Sequence, residues 1–167
     1  DAGGGGGVPR DFSGPRGPVH GIIRNTMRHE VVLDTSVLFA GLRSSRGASH
    51  QILRLVGTGR FGIHVSVPLV LEYEEVLKRE ASGIGLTVPD IEDLLDYICK
   101  VAGHHEINFL WRPCLRDPDD DMVLELAVQA GCSSILTHNL RDFAGSEAFG
   151  IHAVRPRDFL KKIGARS

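Results

Sequence analysis

Two kinds of periodicity alternate along the chain. Residues 31–33 (Val-Val-Leu) form a short continuous apolar run, the pattern of a central parallel strand buried on both faces. Asp34-Thr35-Ser36 ends the run, and 37–42 reads as a short helix or a turn. Over 49–58 the residues Ile52, Leu53, Leu55 and Val56 recur at helical spacing, and Gly57 and Gly59 stop the helix. A second strand is expected at 61–67, followed by a helix that carries Pro68 in its first turn and runs to about residue 80. Residues 82–89, with Gly83 and Gly85, read as a loop. Residues 90–102 form an amphipathic pattern with Ile91, Leu94, Leu95, Ile98 and Val101 on one side. A third strand is expected at 105–109. Asp117 then caps a helix with Pro118 at its first position, and Gly131 closes it. Strands at 134–137 and 151–154 and a last helix from Pro156 to 162 complete the pattern. Strands alternating with helices imply βαβ units, an α/β fold and a parallel sheet.

Residues 1–26 depart from this pattern. Gly3 to Gly7 open a stretch punctuated by Pro9, Pro15 and Pro18, which cannot bury enough apolar surface to offset its ordering entropy. It is expected to be disordered, an expression leader, or sequence upstream of a start at Met27. The folded domain is then 27–164. The 167 residues suffice for one domain with a single core, and the apolar share of 42% and charged share of 24% suit a globular protein. A net charge of −2 carries no overall nucleic-acid signature. Any RNA or DNA must therefore be held through a local basic patch or bound cations. Cys99, Cys114 and Cys132 stand far apart without a CxxC pair, which argues against structural zinc or a disulfide framework and for a reducing, cytoplasmic setting. No apolar run approaches the roughly 18–20 residues that span a bilayer, and the start lacks the apolar core of a signal peptide.

Acidic and amide side chains recur where such a sheet places residues at the carboxyl edge of its strands. Asp34 follows the first strand directly, where ligands of open parallel sheets bind; a turn aspartate bonding its own backbone is the competing account. Glu72 stands out among three glutamates of its helix. Glu74 has Lys78 and Glu75 has Arg79 four residues on, in the orientation that favours surface ion pairs. Glu72 has only Val76 at that spacing, so it projects from the apolar side and needs a partner. In the cluster 117–121, Asp117 serves as the cap and one further acid complements the helix dipole, which leaves carboxylates over. Asp120 shares a face with Leu124 and Ala127 and points to the packed side. Asp121 shares a face with Glu125 and is expected in solvent. Asn139 and Asp142 follow the strand at 134–137. Ser36 and Thr137 place hydroxyls at matching strand ends, suited to orient a carboxylate or a water. Carboxylates gathered this way repel unless a cation lies among them.

The ordered motifs Val31-Val32-Leu33-Asp34-Thr35-Ser36, Glu72 early in a helix, Arg116-Asp117-Pro118-Asp119-Asp120, and Thr137-His138-Asn139-Leu140-Arg141-Asp142-Phe143 resemble the PIN-domain nucleases. The likeness is greatest to the bacterial branch of toxin–antitoxin toxins related to the VapC type. It covers about residues 28–163, and Arg155-Pro156-Arg157-Asp158-Phe159-Leu160 is similar to the end of that branch. The resemblance implies a three-layer α/β/α sandwich around a mainly parallel sheet of about five strands. It also implies a metal-dependent endoribonuclease using one or two Mg2+ or Mn2+ ions. By position, Asp34, Glu72 and Asp120 match the acidic metal-binding triad. Asn139 stands where many members have a fourth acid, with Asp142 as a substitute or with Asn139 binding a water. Ser36 stands where many members have asparagine, and Thr137 and Asp117 would support the site. RNA, a cognate antitoxin protein and a second copy of the chain are the implied partners, with no membrane.

Arg43, Arg46 and Arg141 lie nearest the acidic positions and are the candidates for holding an RNA backbone; Arg79, Arg112 and Arg116 are further cations. The alternative is a degenerate PIN domain that binds RNA or protein without cutting, a reading that rests on Asn139. A haloacid-dehalogenase-like phosphatase would want a second acid where Ser36 stands, and a receiver domain would want a lysine after the late strand. Neither GxGxxG nor GxxxxGK[ST] occurs. His104, His105 and Glu106 lack a third ligand at useful spacing and read as surface or core. Trp111 reads as packing.

Overall fold

The computed structural model describes residues 28–107 and 115–165. In chain order the elements are β1 (His29–Leu33), α1 (Thr35–Arg43), α2 (Ala48–Leu55), β2 (Phe61–Val65), α3 (Val67–Arg79), α4 (Ala81–Ile84), α5 (Val88–Val101), β3 (Gly103–His104), α6 (Pro118–Gln129), β4 (Ser134–Leu136), β5 (His152–Val154) and α7 (Pro156–Lys162), with 3-10 turns at Leu140–Phe143 and Ser146–Phe149. All five strands run parallel in the order β3-β2-β1-β4-β5. This is the expected α/β/α sandwich.

The order explains where a site can form. The connections from β1 lead first to β2 on one side, and β4 and β5 later add on the other. Strand order therefore reverses between β1 and β4, and a crevice opens outside their carboxyl ends. Val31, Val32 and Leu33 of β1 and Ile135 and Leu136 of β4 are at most 1% exposed, so the chain can become polar only where these strands end. Leu33 pairs with Leu136, which sets Asp34 opposite Thr137.

Several boundaries differ from expectation for local reasons. β3 is two residues long and lies ahead of 105–109, of which 108 and 109 fall outside the described residues. Its partner ends at Val65, because Ser66 already caps α3 with its hydroxyl accepting from the Leu69 N–H (3.4 Å). The expected loop at 82–89 contains the short helix α4, closed by Gly85 at φ +70°. α5 starts at Val88 rather than 90, because Thr87 and Asp90 form a capping box: the Asp90 carboxylate accepts from the Thr87 N–H (2.9 Å), and the Thr87 hydroxyl accepts from the Asp90 N–H (3.3 Å). The turn or helix at 37–42 is the full helix α1.

A second polar row crosses the sheet on β1, β2 and β3. Arg28 pairs with Glu30 (3.0 Å), Glu30 with His64 Nε2 (2.7 Å), and His64 Nδ1 with His105 Nε2 (2.8 Å). Gly62 and Gly103 make the row possible, since a Cβ on either would run into the Glu30 carboxyl or the His64 ring. His105 thus has a place in the sheet, whereas His104 contacts the Cys99 carbonyl. Cys99 and Cys132 are free thiols; Cys114, Trp111 and Arg112 lie outside the described residues. Among the described residues no helix is long and apolar enough to cross a membrane.

Candidate metal-binding acidic centre

Asp34 sits at the N-cap of α1 in extended conformation, yet its side chain makes no capping bond. Instead, Asp34 Oδ2 accepts from Ser36 Oγ and from Thr137 Oγ1, each at 2.7 Å. The turn-aspartate account therefore fails: this carboxylate, 8% exposed, is held across the β1–β4 crevice. The two hydroxyls are themselves fixed from behind. The His138 N–H donates to Ser36 Oγ (3.2 Å), and the Asn139 N–H donates to Thr137 Oγ1 (3.0 Å). Both hydroxyls thus donate to the same carboxylate oxygen.

Glu72 arrives from α3. Leu69, Tyr73 and Leu77 are its buried stripe, and the Tyr73 hydroxyl donates to the Leu33 carbonyl, tying the helix to the end of β1. Glu74 and Glu75 pair with Lys78 (3.1 Å) and Arg79 (3.9 Å) as their spacing foretold. Glu72, half-buried, takes a hydrogen bond from Thr35 Oγ1 at 2.7 Å. Burial pushes its pKa up, the Thr35 bond works against that, and repulsion from Asp119, Asp34 and Asp117 adds to it.

α6 contributes the third carboxylate. Asp117 is its N-cap and accepts from the Asp119 N–H (2.9 Å). Asp120 is partly buried, and its pKa rises from the usual 3.8 to about 7. Burial is the main cause, followed by repulsion from Asp142, Asp34, Asp117 and Glu72. Asp34, Glu72 and Asp120 thus all act on one another, and the three segments that carry them converge.

Two expectations for α6 are corrected. Asp121 is not a free solvent-facing acid; it accepts from the Leu115 N–H at 2.9 Å. Glu125 is buried, at 7% exposure. Residues Met122 to Ala127 are all buried, because α6 packs on β1, β2 and β4 together. A helix enclosed so widely does not keep one polar face.

Asp142 lies in the 3-10 turn Leu140–Phe143, anchored by the fully buried Phe143. Although exposed, it is the strongest charged neighbour of Asp120. Asn139 is exposed, and its carbonyl accepts from the Asp142 N–H (3.1 Å). Arg43, Arg46 and Arg141 are exposed. A cleft of about 420 Å3 opens beside Glu72, between Leu71 and Pro68 of α3 and Pro118, Asp119 and Met122 of α6.

Two residues were missed from the sequence. Asp119, masked there by the capping account, is the strongest charged neighbour of Glu72. Thr35 was passed over in favour of Ser36, yet its hydroxyl holds Glu72.

The donor set consists of carboxylate oxygens and hydroxyls, which suits a hard divalent cation. Asp34 and Glu72 each have one oxygen engaged by hydroxyls. Among the described residues no three His, Cys, Asp or Glu are drawn tightly enough together to ligate an ion directly as they stand. An ion seated among them would keep waters in its shell, as magnesium does. The excess negative charge recorded in Glu72 and Asp120 is what such a cation would offset.

No curated protein matches the chain. A family model described as PIN domain matches residues 30–141, a span that takes in Asp34, Glu72, Asp120 and Asn139 and stops just before Asp142. The match covers most of the chain, and the chain therefore belongs to the PIN-domain family, a fold of nuclease type.

Proposed function

We propose that this protein is a metal-dependent endoribonuclease that hydrolyses RNA phosphodiester bonds with Mg2+ or Mn2+. The observation that carries the reading is Asp120, raised to about 7 by burial and by four other acids, Asp117 at the cap of its own helix and Asp34, Glu72 and Asp142 from three further segments. Carboxylates that are partly buried and crowded by one another in a crevice favour a working site.

Asp34, Glu72 and Asp120 would hold the cation, with Asp142 in the place where Asn139 departs from the family pattern. When bound, the ion supplies the positive charge that reconciles an acidic centre with a polyanionic substrate and acidifies an attacking water. The chain's own part is positioning. Ser36 and Thr137 hold one oxygen of Asp34 by two hydrogen bonds. Arg43, Arg46 and Arg141 would hold backbone phosphates, so RNA binding should weaken with salt.

The test is incubation of purified protein with labelled RNA, with magnesium or with chelator. Cleavage is expected only with the metal, and Asp34→Asn or Asp120→Asn should abolish it in a folded protein. Full activity of either variant refutes the assignment.

The toxin role, with an antitoxin protein as partner, draws on the likeness of the strand-end motifs and of residues 155–160 to the toxin branch. Induced expression should arrest growth with wild-type protein and not with Asp34→Asn. The degenerate-domain alternative rests on Asn139, and the repulsion between Asp142 and Asp120 weighs against it.

A further inference from the structure

Three hydroxyls enter the acidic centre. Two of them, Ser36 and Thr137, act on the same oxygen of Asp34. The third, Thr35, acts alone on Glu72. We propose that Thr35 is the positioning residue that sets the place of Glu72 relative to Asp34, and with it the strength of divalent-cation binding. This rests on the reading of the centre as metal-binding.

Thr35 follows Asp34 directly in the chain, at the first position of α1. Its backbone therefore moves with Asp34, while its side chain reaches 2.7 Å to Glu72 Oε2 on α3. One residue brackets two carboxylates that lie far apart in sequence. Its side chain is suited to this. Threonine is branched at Cβ and stiff at χ1, and at 8% exposure its methyl group is packed, so the hydroxyl direction is set.

Glu72 needs such a tether. Asp119, Asp34 and Asp117 all push against its carboxylate, and the cleft between α3 and α6 offers it room to swing away. No other hydrogen bond to the Glu72 carboxylate is found among the described residues. Side chains that orient a ligand from behind typically contribute about ten- to a hundredfold to metal affinity or activity.

The experiment is calorimetric titration of the full chain with Mn2+, alongside thermal melting in chelator and RNA cleavage. Thr35→Val keeps the shape and removes the donor. It should lower Mn2+ affinity by about tenfold or more and reduce cleavage in parallel, with the melting transition still cooperative. Thr35→Ser, which restores the hydroxyl, should recover most of the affinity; a purely structural role would not follow the hydroxyl in this way. Should the valine variant fail to fold, Thr35→Ala is read by the same criterion. Wild-type binding of Mn2+ with an unchanged constant in a folded Thr35→Val or Thr35→Ala protein overturns this inference alone. A flat titration of the wild-type protein overturns the metal-binding reading and this inference together.

Discussion

Asp120→Asn should stabilise the protein in the absence of divalent cation while removing its activity. Asparagine has nearly the same shape, so the change is one of charge. A rise from 3.8 to about 7 in the folded state is worth about 4 kcal/mol at about 1.36 kcal/mol per pH unit. Asp120 is partly open to solvent, and screening by water reduces the effect to about 1–2 kcal/mol. The sign follows from linkage. A carboxylate whose folded pKa is raised adds stability that is fully present below the unfolded value of 3.8. That stability is lost as pH rises through about 7. The advantage of asparagine should therefore be full near pH 8 and should fade toward pH 4. The assay is thermal melting in chelator at the two ends of that window. The alkaline end should show a gain of about 3–6 °C for a domain of this size. Added Mn2+ should raise the wild-type transition and close the gap, because a ligand stabilises only the form that binds it. A variant that melts no higher than wild type near pH 8, or gains as much near pH 4, would refute the claim that burial and charge crowding together strain the ionised Asp120.

Tyr73→Phe should cost about 1–2 kcal/mol in chemical denaturation, because the buried Leu33 carbonyl loses the phenol that donates to it. The burial of His105, with His64 and His104 nearby, lowers its pKa from 6.5. Its contribution is thus present above 6.5 and lost as pH falls through the lower folded value, so melting should drop on acidification below 6.5, and His105→Gln should blunt that drop. Gly62→Ala should displace the Glu30 carboxyl from His64 and lower the melting temperature, and Glu30→Gln should reproduce part of the loss. Arg43→Glu or Arg141→Glu should weaken RNA binding and flatten its salt dependence by about one phosphate contact each, measured by anisotropy with Asp34→Asn protein; unchanged slopes would remove these residues from the RNA path.

The centre was legible where local rules act on contiguous residues. The apolar run of β1 and the polar triplet after it located Asp34, and ion-pair spacing on α3 left Glu72 as the glutamate without a local partner. Local rules failed where tertiary enclosure decides. The pattern of α6 suggested one wet face, but contact with three strands buried Glu125. β3 was misplaced because its extent depends on where β2 stops, not on its own residues. The hydroxyl of Thr35 has no sequence signal beyond its neighbours, since its acceptor lies 37 residues away. His64 and His105 meet across 41 residues, a pairing that only the sheet order reveals.

Thr137 reaches Asp34 across 103 residues, and the strand that delivers it is the fourth of five to be synthesised. A nascent chain leaving the ribosome would hold Asp34 and Glu72 long before it holds the hydroxyl and the turn that finish the crevice. Fragments ending before β4 carry Asp34, Glu72 and Asp120 but lack Thr137 and Asp142. The orienting of Asp34 is thus among the later steps in which the crevice between β1 and β4 is assembled, since it waits on a strand that the chain adds after those carboxylates.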